Sequence, residues 1–209
     1  MNRVELAARR AKRDPAEIQL IAVSKTISVG EIEIAYEEGL RVFAENRAQE
    51  LWSKSAEMPS DCEWHMIGAV QTNKVRRLAS IVSLWHTVDR EALVLEIARR
   101  RPHARVLIQV NVGAEAQKAG CLPGDLAALV TFALSAGLDV RGLMCIPPAS
   151  KDPRLAFESV QRSASEYGLR EVSMGMTNDF EVAIECGSTM VRVGSAIFGP
   201  RPTFVDARN

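Results

Sequence analysis

The sequence predicts an α/β fold in which eight parallel strands and their crossover helices close into a single-domain (β/α)8 TIM barrel. Eight short β-type runs alternate with amphipathic helical segments, and such alternation produces a parallel sheet with right-handed crossovers. Runs such as VLIQVNV at 106–112 are apolar at nearly every position, as in strands covered on both faces. A chain of 209 residues supports one core and lies at the small end for barrels. The predicted domain therefore spans residues 1–209.

Helix signals separate the strands in order along the chain. An opening helix is predicted through Lys12. Ser28 followed by Glu31 predicts a capping box at the start of the first crossover helix, and Gly39 predicts its end. The predicted strands are 20–23, 41–44, 64–67, 84–88, 106–112, 140–145, 171–174 and 189–193.

The later helices carry the same kind of signal. Asp152 before Pro153 predicts an N-cap and a first-turn proline, and Gly168 predicts the end of that helix. Asn178 or Asp179 can cap the next one. A doubly wound open sheet is the alternative architecture, but no GxGxxG or P-loop motif follows any predicted strand.

Composition excludes several classes of protein. Lys plus Arg and Asp plus Glu both total 26, so no net field attracts nucleic acid or an anionic membrane. No apolar run approaches the roughly 20 residues of a membrane span, and the N-terminus has a helical rather than a secretory pattern. The four cysteines are scattered without a CxxC pair, which predicts reduced thiols and no metal site. We expect a cytoplasmic monomer without nucleic-acid or membrane partners.

Lys25 is the first candidate for chemistry. Active sites in barrels lie where strands end, and Lys25 follows the run LIAVS directly. Desolvation beside an apolar strand lowers a lysine pKa and yields an amine able to form a Schiff base. The alternative is a lysine that extends from the barrel rim or pairs with a carboxylate such as Glu45.

The last two strands supply a candidate anion site. Arg192 lies within the apolar eighth strand and needs a partner inside the barrel. Gly194 and Ser195 follow it with backbone N–H groups and a hydroxyl suited to a phosphate. Ser173 and Thr177 bring hydroxyls to the neighbouring loop. Phosphate sites in such barrels favour this corner.

An amine, a phosphate site and an arginine between them describe a ligand with an aldehyde, a phosphate and a third polar atom. Pyridoxal 5′-phosphate fits this description. A phosphorylated sugar bound as a Schiff base in a cofactor-free aldolase fits nearly as well. The residues alone leave both open.

Seven motifs resemble one known family over nearly the whole chain. The resemblance is to the YggS/PROSC family of pyridoxal phosphate homeostasis proteins, which is similar to the N-terminal barrel of alanine racemase. The motifs are AVSKT at 22–26, FAENRAQE at 43–50, EWHMIGAVQTNK at 63–74, HTVDR at 86–90, GLMCIPP at 142–148, SMGMTND at 173–179 and GSTMVRVGSAIFGPR at 187–201.

The resemblance assigns a role to each candidate residue. It implies that Lys25 binds pyridoxal phosphate covalently as a Schiff base, that Arg192 faces the pyridine nitrogen, and that Asn46 lies near the cofactor. It also implies a carrier or regulator of the cofactor, affecting amino-acid and keto-acid balance, with apoenzymes as partners. The residues implied around the phosphate are Ser173, Thr177, Gly194 and Ser195.

A pyridoxal phosphate-dependent amino-acid racemase is the alternative function. Racemisation needs a second acid opposite the lysine, normally a tyrosine from a separate domain in the racemases that the chain resembles. Tyr36 and Tyr167 are the only tyrosines, and both are predicted in helices between strands. We expect His65 to be a hydrogen-bonded interior residue and Cys145 a core thiol.

Overall fold

The fold is a closed barrel of eight parallel strands. The computed structural model describes residues 2–149 and 152–200; the predicted domain ends and the last residue of the seventh motif, Arg201, lie outside these ranges. The strands follow one another around the barrel in chain order. They are β1 (Gln19–Val23), β2 (Val42–Glu45), β3 (Glu63–Met66), β4 (Val82–Val88), β5 (Arg105–Val110), β6 (Asp139–Cys145), β7 (Glu171–Met176) and β8 (Met190–Val193).

Helices cover the outside of the barrel and connect the strands. The capping box predicted at Ser28 is present. The Ser28 side chain accepts from the Glu31 backbone N–H, and the Ser28 backbone N–H donates to Glu31 Oε2 at 3.0 Å. Asp152 caps its helix as predicted by accepting from the backbone N–H of Arg154 at 3.0 Å. The helices are α1 (Asn2–Arg10), α2 (Val29–Glu37), α3 (Ala48–Ser55), α4 (Thr72–Leu78), α5 (Glu91–Arg100), α6 (Leu126–Ser135), α7 (Pro153–Glu166), α8 (Phe180–Glu185) and α9 (Ser195–Phe198).

Pairing between the first and last strands closes the barrel. β1 pairs with β8 in parallel, and Ile21 lies opposite Arg192 in this register. The predicted barrel is therefore confirmed and the open sheet is excluded, because an open sheet would leave these strands as free edges. Each of the eight predicted strands overlaps an observed one.

Several ends of the elements differ from the predicted ones by one or two residues, and two of these differences have a clear local cause. β5 ends at Val110 rather than at 112, because the Asn111 side chain turns the chain by donating to the carbonyl oxygens of Glu115 and Lys118 at 2.8 and 3.2 Å. The opening helix ends at Arg10, and Lys12 adopts a left-handed φ of 56°. A residue in that conformation cannot continue the helix.

Apolar side chains fill both the barrel and the layer between strands and helices. The barrel interior contains Ile21, Leu84, Leu107 and Met144, all fully buried. In the described ranges, no helix has the length and apolarity to cross a membrane, and no group of three or more His, Cys, Asp or Glu residues could hold a metal ion. The four cysteines are free.

Candidate functional site

A cavity of about 380 Å³ opens at the carboxyl ends of the strands. This is the end at which barrels carry their chemistry. Six of the seven predicted site residues contribute to its lining: Lys25, Asn46, Thr177, Arg192, Gly194 and Ser195.

Lys25 lies two residues after the end of β1 and is half-buried at the cavity wall. The backbone on both sides of it is bonded to other elements. Ser24 donates its N–H to the carbonyl of Ala44 at 3.0 Å, and Thr26 donates its N–H to Glu50 Oε2 at 2.8 Å. The lysine is thus presented to the cavity from a fixed stretch of chain.

Glu45 was a possible rim partner for Lys25, and the structure gives it other partners. Its Oε1 accepts from Lys54 Nζ and from the Ser24 hydroxyl, each at 2.7 Å. Glu45 is fully buried, and burial raises the pKa of its carboxyl while the bonds from Lys54 and Ser24 lower it in part. The buried Lys54 therefore forms the ion pair with Glu45, behind the turn that carries Lys25.

Arg192 crosses the floor of the cavity and is held by two uncharged groups. It donates to the hydroxyl of Ser173 at 2.7 Å and to the carbonyl of Cys145 at 3.0 Å. Within the described residues it forms no ion pair. Burial lowers the pKa of Arg192 from its ordinary value, but a guanidinium remains protonated in proteins. The cavity floor therefore carries a positive charge with which no carboxylate of the described residues forms an ion pair.

Two buried histidines continue this arrangement below the cavity. His86 Nδ1 lies 2.9 Å from Ser173 Oγ, and His86 Nε2 lies 3.0 Å from His65 Nδ1. Burial lowers the pKa of His65 to about 3. Burial also lowers the pKa of His86 well below its usual value, and smaller electrostatic interactions with His65 and Arg192 act in the same direction. Both rings are neutral at physiological pH, and His65 is a hydrogen-bonded interior residue, as predicted.

Thr177 and Ser195 lie together at the β7–β8 side of the opening. Ser195 Oγ is 3.3 Å from Thr177 Oγ1. A β-carbon at Gly194 would lie 3.2 Å from the carbonyl oxygen of Val23, so glycine keeps the strand ends close. Two hydroxyls next to the backbone of Gly194, which has no side chain, form a site that can bind an anion.

The opposite wall contains buried acceptors without partners. Asn46 Oδ1 and Gln109 Oε1 are buried and have no bonded donor in the part of the chain that the structure describes. Gly68 lies against Asn46, where an added β-carbon would be 2.0 Å from the Asn46 carbonyl oxygen. Both amides line the cavity, so they can bind a polar ligand.

The remaining predicted residue, Ser173, does not line the cavity. It is fully buried and bonds Arg192 and His86 from beneath, so the structure places it behind the arginine instead of beside Thr177. The sequence interpretation also missed the four other polar lining residues: Thr87, Gln109, Asn111 and Lys118. Asn111 was detectable as a polar residue at the end of the apolar run 106–110, by the argument applied to Lys25.

Comparison with known proteins places the chain in a family. A family model described as the alanine racemase N-terminal domain matches residues 2–202. The chain belongs to this alanine racemase N-terminal domain family. A curated member, the pyridoxal phosphate homeostasis protein of Pseudomonas aeruginosa, is 40% identical over 210 residues, which cover 95% of this chain and 91% of the relative. The protein of that name from Aquifex aeolicus is 40% identical over 216 residues, covering 96% and 95%.

Solved structures in the family share the barrel. PipY of Synechococcus elongatus, with PLP bound, superposes with a TM-score of 0.80 at 33% identity and covers 95% of this chain and 100% of its own. Alanine racemase from Corynebacterium glutamicum gives a TM-score of 0.69 at 17% identity, covering 100% of this chain and 61% of the racemase. At this identity, the likeness to the racemase shows a shared fold only.

Proposed function

We propose that this protein binds pyridoxal phosphate at the barrel mouth, holds it through a Schiff base on Lys25 and serves intracellular homeostasis of the cofactor. The observation that carries the proposal is the convergence on one cavity of an amine, two hydroxyls and a guanidinium that, among the described residues, bonds only uncharged groups. Membership of the family and the PLP-bound relative at 33% identity support the same ligand.

The residues present fit the chemical groups of this cofactor. Thr177 and Ser195 would donate to the phosphate, for which their neighbouring hydroxyls are suited. Arg192 would face the pyridine nitrogen; a guanidinium can only donate, so that nitrogen would stay unprotonated. Asn46 Oδ1, buried without a partner, would accept from the ligand. Bound pyridoxal phosphate supplies an aldehyde and, when its nitrogen is protonated, an electron sink.

Lys25 supplies the covalent link in this proposal. Its neutral amine nitrogen would bond to the aldehyde carbon, and the aldehyde oxygen would leave as water with the two amine hydrogens. Arg192 weakens the electron sink by keeping the pyridine nitrogen unprotonated, which favours storage of the cofactor over catalysis. We further propose a cytoplasmic monomer that exchanges the cofactor with apoenzymes and so affects amino-acid and keto-acid balance.

The positions of the tyrosines favour this carrier over a racemase. Tyr36 donates to Asp61 Oδ1 at 2.7 Å on the outside of the barrel. Tyr167 follows the last residue of α7 and is 40% exposed. These are the two tyrosines of the chain, and neither lines the cavity. A proton donor opposite Lys25 would have to be of another kind.

Replacement of the lysine tests the covalent link. We expect Lys25→Ala to abolish the visible absorbance that the wild type gains with pyridoxal phosphate, and borohydride reduction with peptide mapping to locate the pyridoxyl group on residue 25. Lys118→Ala is the matched control, because Lys118 also lines the cavity. A pyridoxyl group that persists in Lys25→Ala and disappears in Lys118→Ala would contradict the assignment. A wild type that stays colourless would favour the aldolase.

Incubation with L-alanine tests the distinction from a racemase. Without a positioned acid on the second face, D-alanine formation should not exceed that of free pyridoxal phosphate, because a general acid contributes roughly 100- to 10,000-fold in rate. Chiral chromatography measures both. Turnover far above the free cofactor that is lost in Lys25→Ala would make the racemase the better description.

A further inference from the structure

The turn that carries Lys25 has an uncommon backbone conformation. Thr26 has a φ of 64°, in the left-handed region that β-branched residues rarely adopt. Such a conformation costs free energy and persists only where surrounding bonds over-determine it. Bonds from neighbouring elements must therefore hold this turn.

Helix α3 supplies bonds on both sides of Lys25. Glu50 Oε2 accepts from the Thr26 N–H at 2.8 Å, and Lys54 Nζ donates to the Ser24 carbonyl at 2.8 Å. Glu50 and Lys54 are one helical turn apart and bond each other at 3.0 Å. The backbone groups that flank Lys25 are thus tied to one pair of side chains.

Glu45 at the end of β2 completes the arrangement. Its Oε1 accepts from Lys54 at 2.7 Å and from the hydroxyl of Ser24 at 2.7 Å. Lys54 is only 8% exposed, and its three donors go to Ser24, Glu45 and Glu50. A lysine is rarely buried to this degree. A buried ion pair is also weak evidence for stability, because apolar residues of similar volume often stabilise a fold equally well.

We propose that Lys54 is a positioning residue for Lys25: with Glu45 and Glu50 it fixes the turn Ser24–Thr26 and so orients the Lys25 amine toward one point of the cavity. The inference rests on the proposed function, in which that amine bonds to the ligand aldehyde. Fixed orientation accelerates bond formation because the reacting groups no longer search for their geometry.

The kinetics of covalent attachment separate orientation from binding. Purified full-length apoprotein is mixed with increasing pyridoxal phosphate, trapped with borohydride at set times and mapped for the pyridoxyl group on Lys25. The plateau rate reports the orientation of Lys25. The concentration at half-plateau reports binding by the rest of the cavity. A purely structural role for α3 would lower the folded fraction and leave the plateau rate of the folded protein unchanged.

Glu50 offers a matched pair of variants. Glu50→Ala removes the acceptor of the Thr26 N–H, whereas Glu50→Gln retains an oxygen at that place. We expect Glu50→Ala to lower the plateau rate at least tenfold with the half-plateau concentration unchanged within twofold, and Glu50→Gln to stay within threefold of the wild type. Glu185→Ala, which removes the exposed ion pair with Arg154, is the control and should change neither quantity.

Lys54 is tested in a background that avoids an unpaired buried charge. The double variant Glu45→Gln with Lys54→Met removes both charges and the bond to the Ser24 carbonyl, and we expect a plateau rate at least tenfold below that of Glu45→Gln alone. Equal plateau rates in wild type, Glu50→Ala and the double variant would overturn the positioning role alone. A wild type that never attaches the ligand at Lys25 would overturn the proposed function and the positioning role together.

Discussion

Two polar clusters lie next to the same cavity and differ in how they compensate a buried cation. The lysine-side cluster consists of Ser24, Glu45, Glu50 and Lys54; the arginine-side cluster consists of His65, His86, Ser173 and Arg192. The first neutralises its cation with two carboxylates at 2.7 and 3.0 Å. The second surrounds its cation with a hydroxyl, a carbonyl and neutral rings.

This difference shows how one barrel can use buried cations for two purposes. An ion-paired lysine has little net charge to offer the cavity, so Lys54 acts on the backbone that it bonds. An arginine without a carboxylate keeps its field, and the low polarisability of the interior strengthens that field. The charge of Arg192 is therefore directed at whatever occupies the cavity.

Loss of the paired cation should give the largest effect on stability. Lys54→Met leaves Glu45 buried without its cation, and removing one partner of a buried pair costs about 3–5 kcal/mol. Replacing both partners, as in Glu45→Gln with Lys54→Met, should recover most of that loss. Urea unfolding followed by circular dichroism measures both variants. Equal losses in the single and double variants would show that packing of the Lys54 stem, rather than charge pairing, holds this cluster.

Loss of the central hydroxyl should be the next largest effect. Ser173→Ala removes the acceptor of a buried guanidinium and the partner of His86, and groups left unsatisfied in this way cost about 3 kcal/mol together. Ser83→Ala is the control, because Ser83 makes one bond, to the carbonyl of Trp64 at 3.0 Å. If the two variants unfolded at the same urea concentration, Ser173 would not support Arg192.

The two clusters should also respond to acid with opposite signs. His65 has a pKa of about 3 in the folded protein and about 6.5 when unfolded, so the unfolded chain binds more protons and stability falls as pH drops below 6.5. This contribution amounts to about 2 kcal/mol between pH 7.5 and 5.0. Glu45 acts in reverse: burial raises its folded pKa above the ordinary value, so its contribution becomes more favourable as pH falls from the folded pKa towards the ordinary pKa of a glutamate.

Urea unfolding at pH 7.5 and pH 5.0 measures these contributions. His65→Gln should reduce the loss of stability on acidification, and Glu45→Gln should increase it. Identical pH dependence in wild type and His65→Gln would show that folding does not lower the pKa of His65, and the description of this ring as neutral down to pH 5.0 would fail.

An exposed ion pair provides the smallest effect and a reference for both clusters. Arg154 and Glu185 lie 2.7 Å apart with side chains 42% and 34% exposed. Glu185→Ala should cost about 0–1 kcal/mol, because solvent screens such pairs, and added salt should reduce even that. A cost comparable to that of Lys54→Met would mean that burial is not what distinguishes the lysine-side cluster.

The sequence by itself determined the barrel and most of the cavity. Alternating strands and helices leave few topologies, and runs that are apolar at nearly every position require cover on both faces, which favours closure of the eight units into a barrel. Lys25 and Gly194 were detectable because each lies within two residues of the end of a strand, where barrels place their sites. Arg192 was detectable as a charge inside an apolar strand.

Only the tertiary structure decided which groups contact one another across the barrel. Ser173 shares a loop motif with Thr177 but lies four residues earlier on β7, so the strand sets it below the cavity, against Arg192 and His86. Lys54 appears in the sequence as an ordinary helix lysine, since its partner Glu45 lies nine residues away on another element. The local sequence pattern predicts which face of an element a residue occupies. Barrel closure and the stagger between strands determine which residue it contacts on that face.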